Sequence, residues 1–476
     1  MTTPCAKQLA SLTDGLLLSI DRELPETLGS QLRRGLLDLI RAGSLRPGVR
    51  LPSTRVLATQ LGISRPLVLD AYAQLAAEGY LSLRRGSRPV VTGESLTGPA
   101  SRAIAPEADP IRFDLRPAMP DLSMFPRRLW LSSLRSVLAD LPASDLGYGD
   151  LRGSLVLRCA LADYLGRVRG AIVDPANVFI TSGFAEGRAL ACAALYASGV
   201  RDLAVEDPSY SDWVAVDKAG LRRMPVTVDE DGMDVSQLTG LAAGAVFVTP
   251  AHQFPIGGVL SAARRRGLVR WLRERDAFAL EDDYDAEFRY DQAPVGALQG
   301  LAPDRVIYAG TASKTLAPAL RLGWLVVPPA LATTMAGELR RWSEGPPRID
   351  QDALAAMIRS GAYDRHLRKM RRFYRDRRDR LLSSLASALP DLATEGAAAG
   401  LHVTLRLPDA VDAAGEARIV AHLQRHGVAT EGLGRYSSTC PGPRRLFIGY
   451  GRIADSGIAP SIDIVARAVR EAVPGS

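Results

Sequence analysis

Apolar residues recur at helical spacing from Leu28 to Ala42 (Leu28, Leu32, Leu36, Leu39, Ile40), and Gly43 with Pro47 ends the pattern. The spacing predicts an amphipathic helix. Ser53 precedes a second periodic stretch, Thr54 to Leu61, where its hydroxyl suits an N-cap, and Gly62 stops it. Ser64 is placed to cap a third helix with the apolar stripe Leu67, Val68, Ala71 and Leu75. Pro66 is acceptable in its first turn, where the missing N–H would be unpaired anyway. After Gly79 the period changes: Tyr80–Leu83 and Pro89–Val91 read as two strands around the basic turn Arg84-Arg85-Gly86-Ser87-Arg88. Three helices followed by a basic hairpin predict a winged helix-turn-helix over residues 22–92.

Residues 93–111 are rich in Pro, Ala, Gly, Ser and Thr without an apolar period, the composition of a flexible tether. From 112 to 476, helical tracts alternate with short apolar runs at 202–206, 245–249, 277–281, 305–309 and 323–327. Such runs predict an α/β domain with a mostly parallel, helix-covered sheet, and functional groups in the loops at its strand ends.

Composition adds location and partners. A chain of 476 residues exceeds one ordinary core, at about 100–200 residues per domain. Cys5, Cys159, Cys192 and Cys440 show no metal-ligand spacing and no bridged framework, so a reducing cytoplasm is expected and no metal. Asp14, Asp21 and Arg22 interrupt the Leu-rich stretch near the N-terminus, which supports neither a signal peptide nor a membrane span. Net charge is +7, but residues 1–92 hold twelve Lys/Arg against seven Asp/Glu. Most of the excess therefore lies on the predicted winged module.

That module resembles the DNA-binding domain of the GntR family in Leu51-Pro52-Ser53-Thr54-Arg55, Leu61-Gly62-Ile63-Ser64-Arg65, Ala71-Tyr72 and Glu78-Gly79-Tyr80-Leu81. The resemblance implies that the third helix enters the major groove of double-stranded operator DNA, with Ser64 and Arg65 at its start. Arg65 is the candidate for reading bases, and Arg55 and Arg85 for holding phosphates. The wing reads Gly86-Ser87-Arg88-Pro89 in place of the family's Gly-Ser-Gly-Thr, so Arg88 either reaches a narrow minor groove or faces water.

The larger region carries a second chemistry. Lys314 follows Gly310-Thr311-Ala312-Ser313 and precedes Arg321, a cationic setting that helps a lysine lose the proton it must shed to hold an aldehyde. If the aldehyde is pyridoxal 5′-phosphate, its ring needs a carboxylate at the pyridine nitrogen, a donor at the phenolic oxygen, an aromatic face and a phosphate cradle. Asp282, at the end of an apolar strand, suits the nitrogen, and Tyr284 suits the phenolic oxygen. Tyr210 suits the ring face. Thr181-Ser182-Gly183-Phe184-Ala185 opens a helix whose N–H groups would meet the phosphate, with Thr311, Ser313 and Arg321 completing the cradle.

Beyond the winged module the chain resembles fold-type I aminotransferases, and as a whole the MocR subfamily of GntR regulators. The carrying segments are Phe113-Asp114-Leu115-Arg116-Pro117, Phe125-Pro126, Tyr148-Gly149-Asp150, 249–255, the run Glu281 to Tyr290, and 310–323. The resemblance implies an internal aldimine on Lys314, contacts from Asp282, Tyr284, Tyr210 and His252, and a homodimer in which Tyr148 reaches the partner's phosphate. Three positions depart from the pattern: Leu151 after Asp150, Ala185-Glu186 in place of a Gln pair, and Phe447 where aminotransferases carry the arginine that grips an α-carboxylate. The first two leave the backbone donors in place. Loss of the third contact costs an amino acid about 1.5–3 kcal/mol unless Arg435 or Arg444 replaces it.

The expected function is a DNA-binding transcriptional regulator that senses an amine or amino-acid effector by exchanging the aldimine at Lys314. Two other readings stay open: a working aminotransferase with an accessory DNA-binding domain, and a regulator for which pyridoxal phosphate itself is the signal.

Overall fold

Two compact units, Met1–Ala108 and Asp109–Ser476, make up the chain in the computed structural model. The structure describes residues 7–13, 16–92, 111–290, 295–342, 345–396, 398–437 and 442–472. The expected tether at 93–111 lies outside them except for Ile111, as do Cys5 and Cys440. Cys159 and Cys192 are free thiols.

The first unit opens with an antiparallel pair, β1 (Lys7–Thr13) and β2 (Leu16–Asp21), which the periodicity did not announce. Leu18 and Ile20 alternate inward and are buried, while the intervening Ser19 is exposed. Helices α1 (Leu28–Arg41), α2 (Thr54–Leu61) and α3 (Arg65–Ala77) follow where the apolar stripes place them. Ser53 caps α2 by accepting from the Val56 N–H, and Gly62 ends it at φ 60°. Ser64 stands before α3, but its side chain makes no capping bond, which leaves its hydroxyl available to another partner. Leu32, Leu36, Leu57, Leu61, Val68 and Leu75 close the core, each contributing about 1.5–3 kcal/mol. The wing is the antiparallel pair β3 (Leu81–Ser82) and β4 (Val90–Val91).

In the second unit β5 (Phe113–Asp114) is followed by β6 (Val178–Thr181), β7 (Asp202–Asp207), β8 (Arg222–Asp229), β9 (Gly232–Met233), β10 (Ala245–Val248), β11 (Phe278–Asp283), β12 (Val306–Thr311) and β13 (Gly323–Val326). The last eight form one sheet in the order β6-β13-β12-β11-β10-β7-β8-β9. Strands β8, β7, β10, β11 and β12 are parallel, whereas β13, β6 and β9 pair antiparallel. Burial from both faces explains the continuous apolar strands. β8, near the sheet's edge, is mostly exposed or half-buried around the buried Val226, so it lacks a continuous apolar run.

A second sheet, in the order β14-β15-β18-β17, is built from β14 (Thr394–Glu395), β15 (His402–Arg406), β17 (Glu431–Gly432) and β18 (Arg445–Gly449); β16 (Val428–Ala429) pairs instead with β5. Val403, Leu405, Leu446 and Ile448 pack into a core on one face of this sheet. His402, Thr404 and Phe447 share the other face by register.

Candidate functional site

Topology brings the site together at one edge of the large sheet. Parallel β7, β10, β11 and β12 all deliver their C-terminal ends there, and antiparallel β13 begins there beside the end of β6, with Gly323 opposite Thr181. Three chain segments far apart in sequence thus meet: the loop after β6, the carboxylates of β11, and the Lys314 loop after β12.

The run Glu281-Asp282-Asp283 resembles a solvated strand end in sequence but is buried throughout. Each carboxylate has its own partners. Glu281 accepts from the N–H groups of Leu298 and Gln299 at 2.7 and 2.9 Å. Asp283 is held by Arg169 at 2.7 and 2.9 Å and by the Tyr308 hydroxyl at 2.7 Å. Asp282 Oδ2 accepts from the Tyr210 hydroxyl at 2.6 Å, while its Oδ1 is buried with no partner. Burial pushes the Asp282 carboxyl up to about 7, against the Tyr210 hydrogen bond that lowers it.

The neighbouring side chains form an aromatic and imidazole wall. One face of Tyr210 is covered by Phe254, with centroids 4.9 Å apart and planes 18° from parallel, and Phe184 also lies against its ring, with centroids 5.9 Å apart and planes 32° from parallel. Tyr284 Oη lies 2.9 Å from His252 Nδ1, which also lies 3.0 Å from Asp285 Oδ2. A carboxylate at Nδ1 favours the tautomer protonated there, which leaves the Tyr284 proton free for another acceptor. Lys314 is half-buried, and lost hydration lowers its ammonium pKa against the opposing pull of Asp285 and Asp282.

The loop after β6 forms a cradle. Gly183 has φ 88°, and a Cβ there would lie 3.3 Å from the Arg321 guanidinium; a Cβ on Gly323 would lie 2.8 Å from the Gly183 carbonyl carbon. Only glycine allows both the backbone angle and the close approach. Phe184 and Ala185 open the helix Phe184–Ala197, whose first N–H groups have no intrahelical partner. Arg321 itself adopts a left-handed φ of 50°, a conformation costly for a side-chain-bearing residue. The Ser313 N–H donates to Thr311 Oγ1 at 3.1 Å and so shapes the Lys314 loop. The expectation that Ala185-Glu186 leaves every donor in place needs correction: the Glu186 carboxylate accepts from the Ser182 N–H. A glutamate in the first turn of a helix is long enough to reach back to such a donor.

Some expected residues lie elsewhere. Tyr148 is 89% exposed and lines a separate cavity of about 270 Å³ with Arg158, Arg348 and Gln351. Phe447 is fully buried in a cluster with Phe254, Tyr284 and Tyr436, on the wall of the site. Arg435 pairs with Glu431 at 3.3 Å and lines a cavity of about 190 Å³ beside Tyr210, whereas Arg444 lies near Glu416. Residues to which the motifs gave no role include Asp285, although it lies within the run Glu281 to Tyr290, and Arg188 and His402. His402 donates from Nε2 to the Pro255 carbonyl at 2.8 Å, its Nδ1 has no partner, and burial holds its pKa down to about 3. The pairing of alternate positions on β15 with the Phe447 strand was the only signal that could have found it.

In the winged unit Arg55, Arg65, Arg85 and Arg88 are all exposed, as is Ser64. Arg65 Nε lies 3.3 Å from Thr54 Oγ1. Among the described residues no helix is long and apolar enough to cross a membrane, and no group of side chains could hold a metal ion.

Comparison with known proteins joins the two units. Residues 28–91 match the bacterial regulatory proteins of the gntR family, and residues 131–442 match aminotransferase class I and II. The chain is 33% identical to the HTH-type pyridoxine biosynthesis transcriptional regulator PdxR of Corynebacterium glutamicum, covering 92% of this chain and 94% of that protein. It is 32% identical to the probable rhizopine catabolism regulatory protein MocR of Rhizobium meliloti, covering 92% of each. The chain belongs to the MocR subfamily of GntR regulators. As a MocR-type protein it is an HTH-type transcriptional regulator with an aminotransferase-like domain. That domain is similar to a solved archaeal alanine:glyoxylate aminotransferase, at 25% identity and a TM-score of 0.69 over 75% of this chain and 91% of that one. The aminotransferase class I and II fold family depends on pyridoxal phosphate, and the GntR domain implies DNA binding.

Proposed function

We propose that this MocR-type regulator holds pyridoxal 5′-phosphate at Lys314 and reads an amine or amino-acid effector there, which alters how its winged domain, residues 22–92, holds operator DNA. The observation that carries the proposal is the bare Asp282 Oδ1. A carboxylate oxygen buried without a donor is costly, and the protonated pyridine nitrogen of the cofactor is a donor of the right charge. Gly183, Phe184 and Ala185 would meet its phosphate at the helix N-terminus, with Thr311, Ser313 and Arg321 beside them. Tyr284 would donate its free proton to the phenolic oxygen, His252 would hold Tyr284 in place, and Tyr210 would line the ring.

When bound, the cofactor supplies an electrophilic aldehyde carbon to which amines add. Lys314 contributes an amine whose proton is easily lost, because burial disfavours its charge. Phe447 presents an apolar ring on this wall, which disfavours turnover of a standard α-amino acid and supports sensing over catalysis. The protein acts as a cytoplasmic homodimer, with Tyr148 of one protomer completing the partner's phosphate site; its exposure leaves it available for that contact.

The test is absorbance of the purified protein on addition of pyridoxal phosphate and then a panel of amines, alongside operator binding by wild type and Lys314→Ala. An amine-induced spectral change with matching loss or gain of DNA affinity, both absent in Lys314→Ala, is expected. Unchanged operator affinity and effector response in Lys314→Ala would sink the proposal. The likeness to PdxR favours a second reading, in which occupancy by pyridoxal phosphate is itself the signal. Apo and holo protein on the same DNA without any amine separate the two.

A further inference from the structure

The wall beside Asp282 is backed by a cation that no motif marked. Arg188 lies in the second turn of the Phe184–Ala197 helix and is 4% exposed. Its guanidinium carbon is 5.7 Å from the ring centroids of Phe184 and Tyr210 and 6.0 Å from that of Trp213. Its side-chain hydrogen bond runs from Nη2 to Asp212 at 3.4 Å, and that carboxylate is 68% exposed to water. Arg188 Nε is buried with no partner. A guanidinium desolvated to this degree, with one long bond to a hydrated acid, is poorly balanced by its immediate neighbours. Three aromatic faces offset part of that cost, as cation–π contacts do when water is excluded.

The missing counter-charge lies across one of those rings. Tyr210 carries Arg188 against its ring and donates its hydroxyl to Asp282 at 2.6 Å. The groups facing Asp282 are Tyr210, Asp283, Arg188 and Lys314. Asp283 is already held by Arg169 and Tyr308. Lys314 is a weak source of positive charge, because burial lowers its pKa. Arg188 is a permanent one, since a guanidinium does not lose its proton in proteins.

We propose that Arg188 is a positioning residue that keeps the Asp282 carboxylate ionised across the Tyr210 ring, so that Oδ1 is ready to accept from a charged ring N–H. The consequence rests on the reading that pyridoxal phosphate occupies the site. Without Arg188, a carboxyl that burial already pushes up moves further the same way, so a larger share of it is protonated at neutral pH. A neutral carboxyl loses the charge that stabilises a protonated ring nitrogen.

The pairing is tested first without the cofactor. All five tryptophans lie in the large unit, so fluorescence follows its unfolding in the full-length chain. Arg188→Met, Asp282→Asn and the double variant are compared from about pH 5 to about pH 9, a range that spans the carboxyl's ionisation. Arg188→Met is expected to lower the unfolding midpoint more at the alkaline end than at the acid end, and the difference should vanish in the Asp282→Asn background. A loss that is equal at every pH, or one that persists unchanged in the double variant, makes Arg188 a packing residue and overturns the proposal. Should Arg188→Met fail to fold, Arg188→Gln carries the same cycle.

The second measurement is the affinity for pyridoxal phosphate. Arg188→Met should weaken it about tenfold near neutral pH, the equivalent of about one pKa unit, with recovery as pH rises. Arg188→Lys, which retains the charge, should restore most of it. Equal binding by wild type and Arg188→Met across the range also overturns the proposal. A coupled cycle in a wild-type chain that takes up no pyridoxal phosphate removes the cofactor reading and leaves the Arg188–Asp282 pairing standing.

Discussion

The two units present charge in opposite ways. The winged unit exposes Arg55, Arg65, Arg85 and Arg88, and its core is almost wholly apolar. The aminotransferase-like unit buries its acids, Glu206, Glu281, Asp282 and Asp283, and ties most of them to named partners. A DNA-binding surface works by exchanging counterions and must stay hydrated until the phosphates arrive. A cofactor site works by holding charge in a fixed geometry with water removed. One chain therefore leaves the charges of one unit free and locks those of the other.

The locked side breaks hardest. Arg169→Ala would strand the Asp283 carboxylate, 6% exposed, without its bidentate partner, at a cost of about 3–5 kcal/mol in unfolding free energy. A loss below about 1 kcal/mol in chemical denaturation would mean that the site's acids are hydrated after all.

The free side should lose specificity and keep its fold. Arg65→Ala is expected to relax base preference by about 1–3 kcal/mol at one operator position, measured by competition with single-base variants. Arg85→Ala should weaken all sequences alike and reduce the salt slope of binding by about one. Equal losses on every sequence for both variants would reclassify Arg65 as a phosphate contact.

pH sharpens the contrast. Burial pushes Glu206 up to about 7, against hydrogen bonds from Thr249 and Gln253. A carboxyl with a raised folded pKa holds its proton better when folded, so its contribution to stability is present below about 4.5 and is lost as pH rises toward 7. Each tenfold change in its ionisation constant on folding is worth about 1.4 kcal/mol. The cofactor-free large unit should therefore melt lower at pH 8 than at pH 5, with a smaller drop in Glu206→Gln. An identical pH profile in that variant would place the titration elsewhere.

The smallest expected effect is on the phosphate cradle. Glu186→Gln keeps the shape near Ser182 but removes a negative charge that competes with phosphate, and should strengthen pyridoxal phosphate binding by about 0.3–1 kcal/mol. Weaker binding in a titration would show that Glu186 assists the site.

Legibility followed the same division. The winged helices could be read because caps, stripes and breakers act within one or two turns: Ser53 on Val56, Gly62 after Leu61. The exception was β1 and β2, where the inward alternation of Leu18 and Ile20 is too brief to stand out. In the large unit the buried strands β7, β10, β11, β12 and β13 were visible, whereas buried β6 and the mostly exposed or half-buried β8 were not. The motif residues at 282, 284 and 314 were recognisable as a group. Their hydrogen bonds were not, because Tyr210 meets Asp282 across 72 positions and His402 meets Pro255 across 147.

The sequence by itself determined the two-part architecture, the winged helix with its basic face, the α/β class of the larger unit and the family to which the whole chain belongs. These depend on local periodicity, on capping chemistry and on runs of neighbouring residues. Only the tertiary structure decided that Asp282 keeps one bare oxygen, that Glu186 takes the Ser182 donor, and that Arg188 stands behind Tyr210. Burial and pairing in a sheet are set by which distant strands lie side by side, and a charge acquires its role from the water it has lost and the neighbours it has gained.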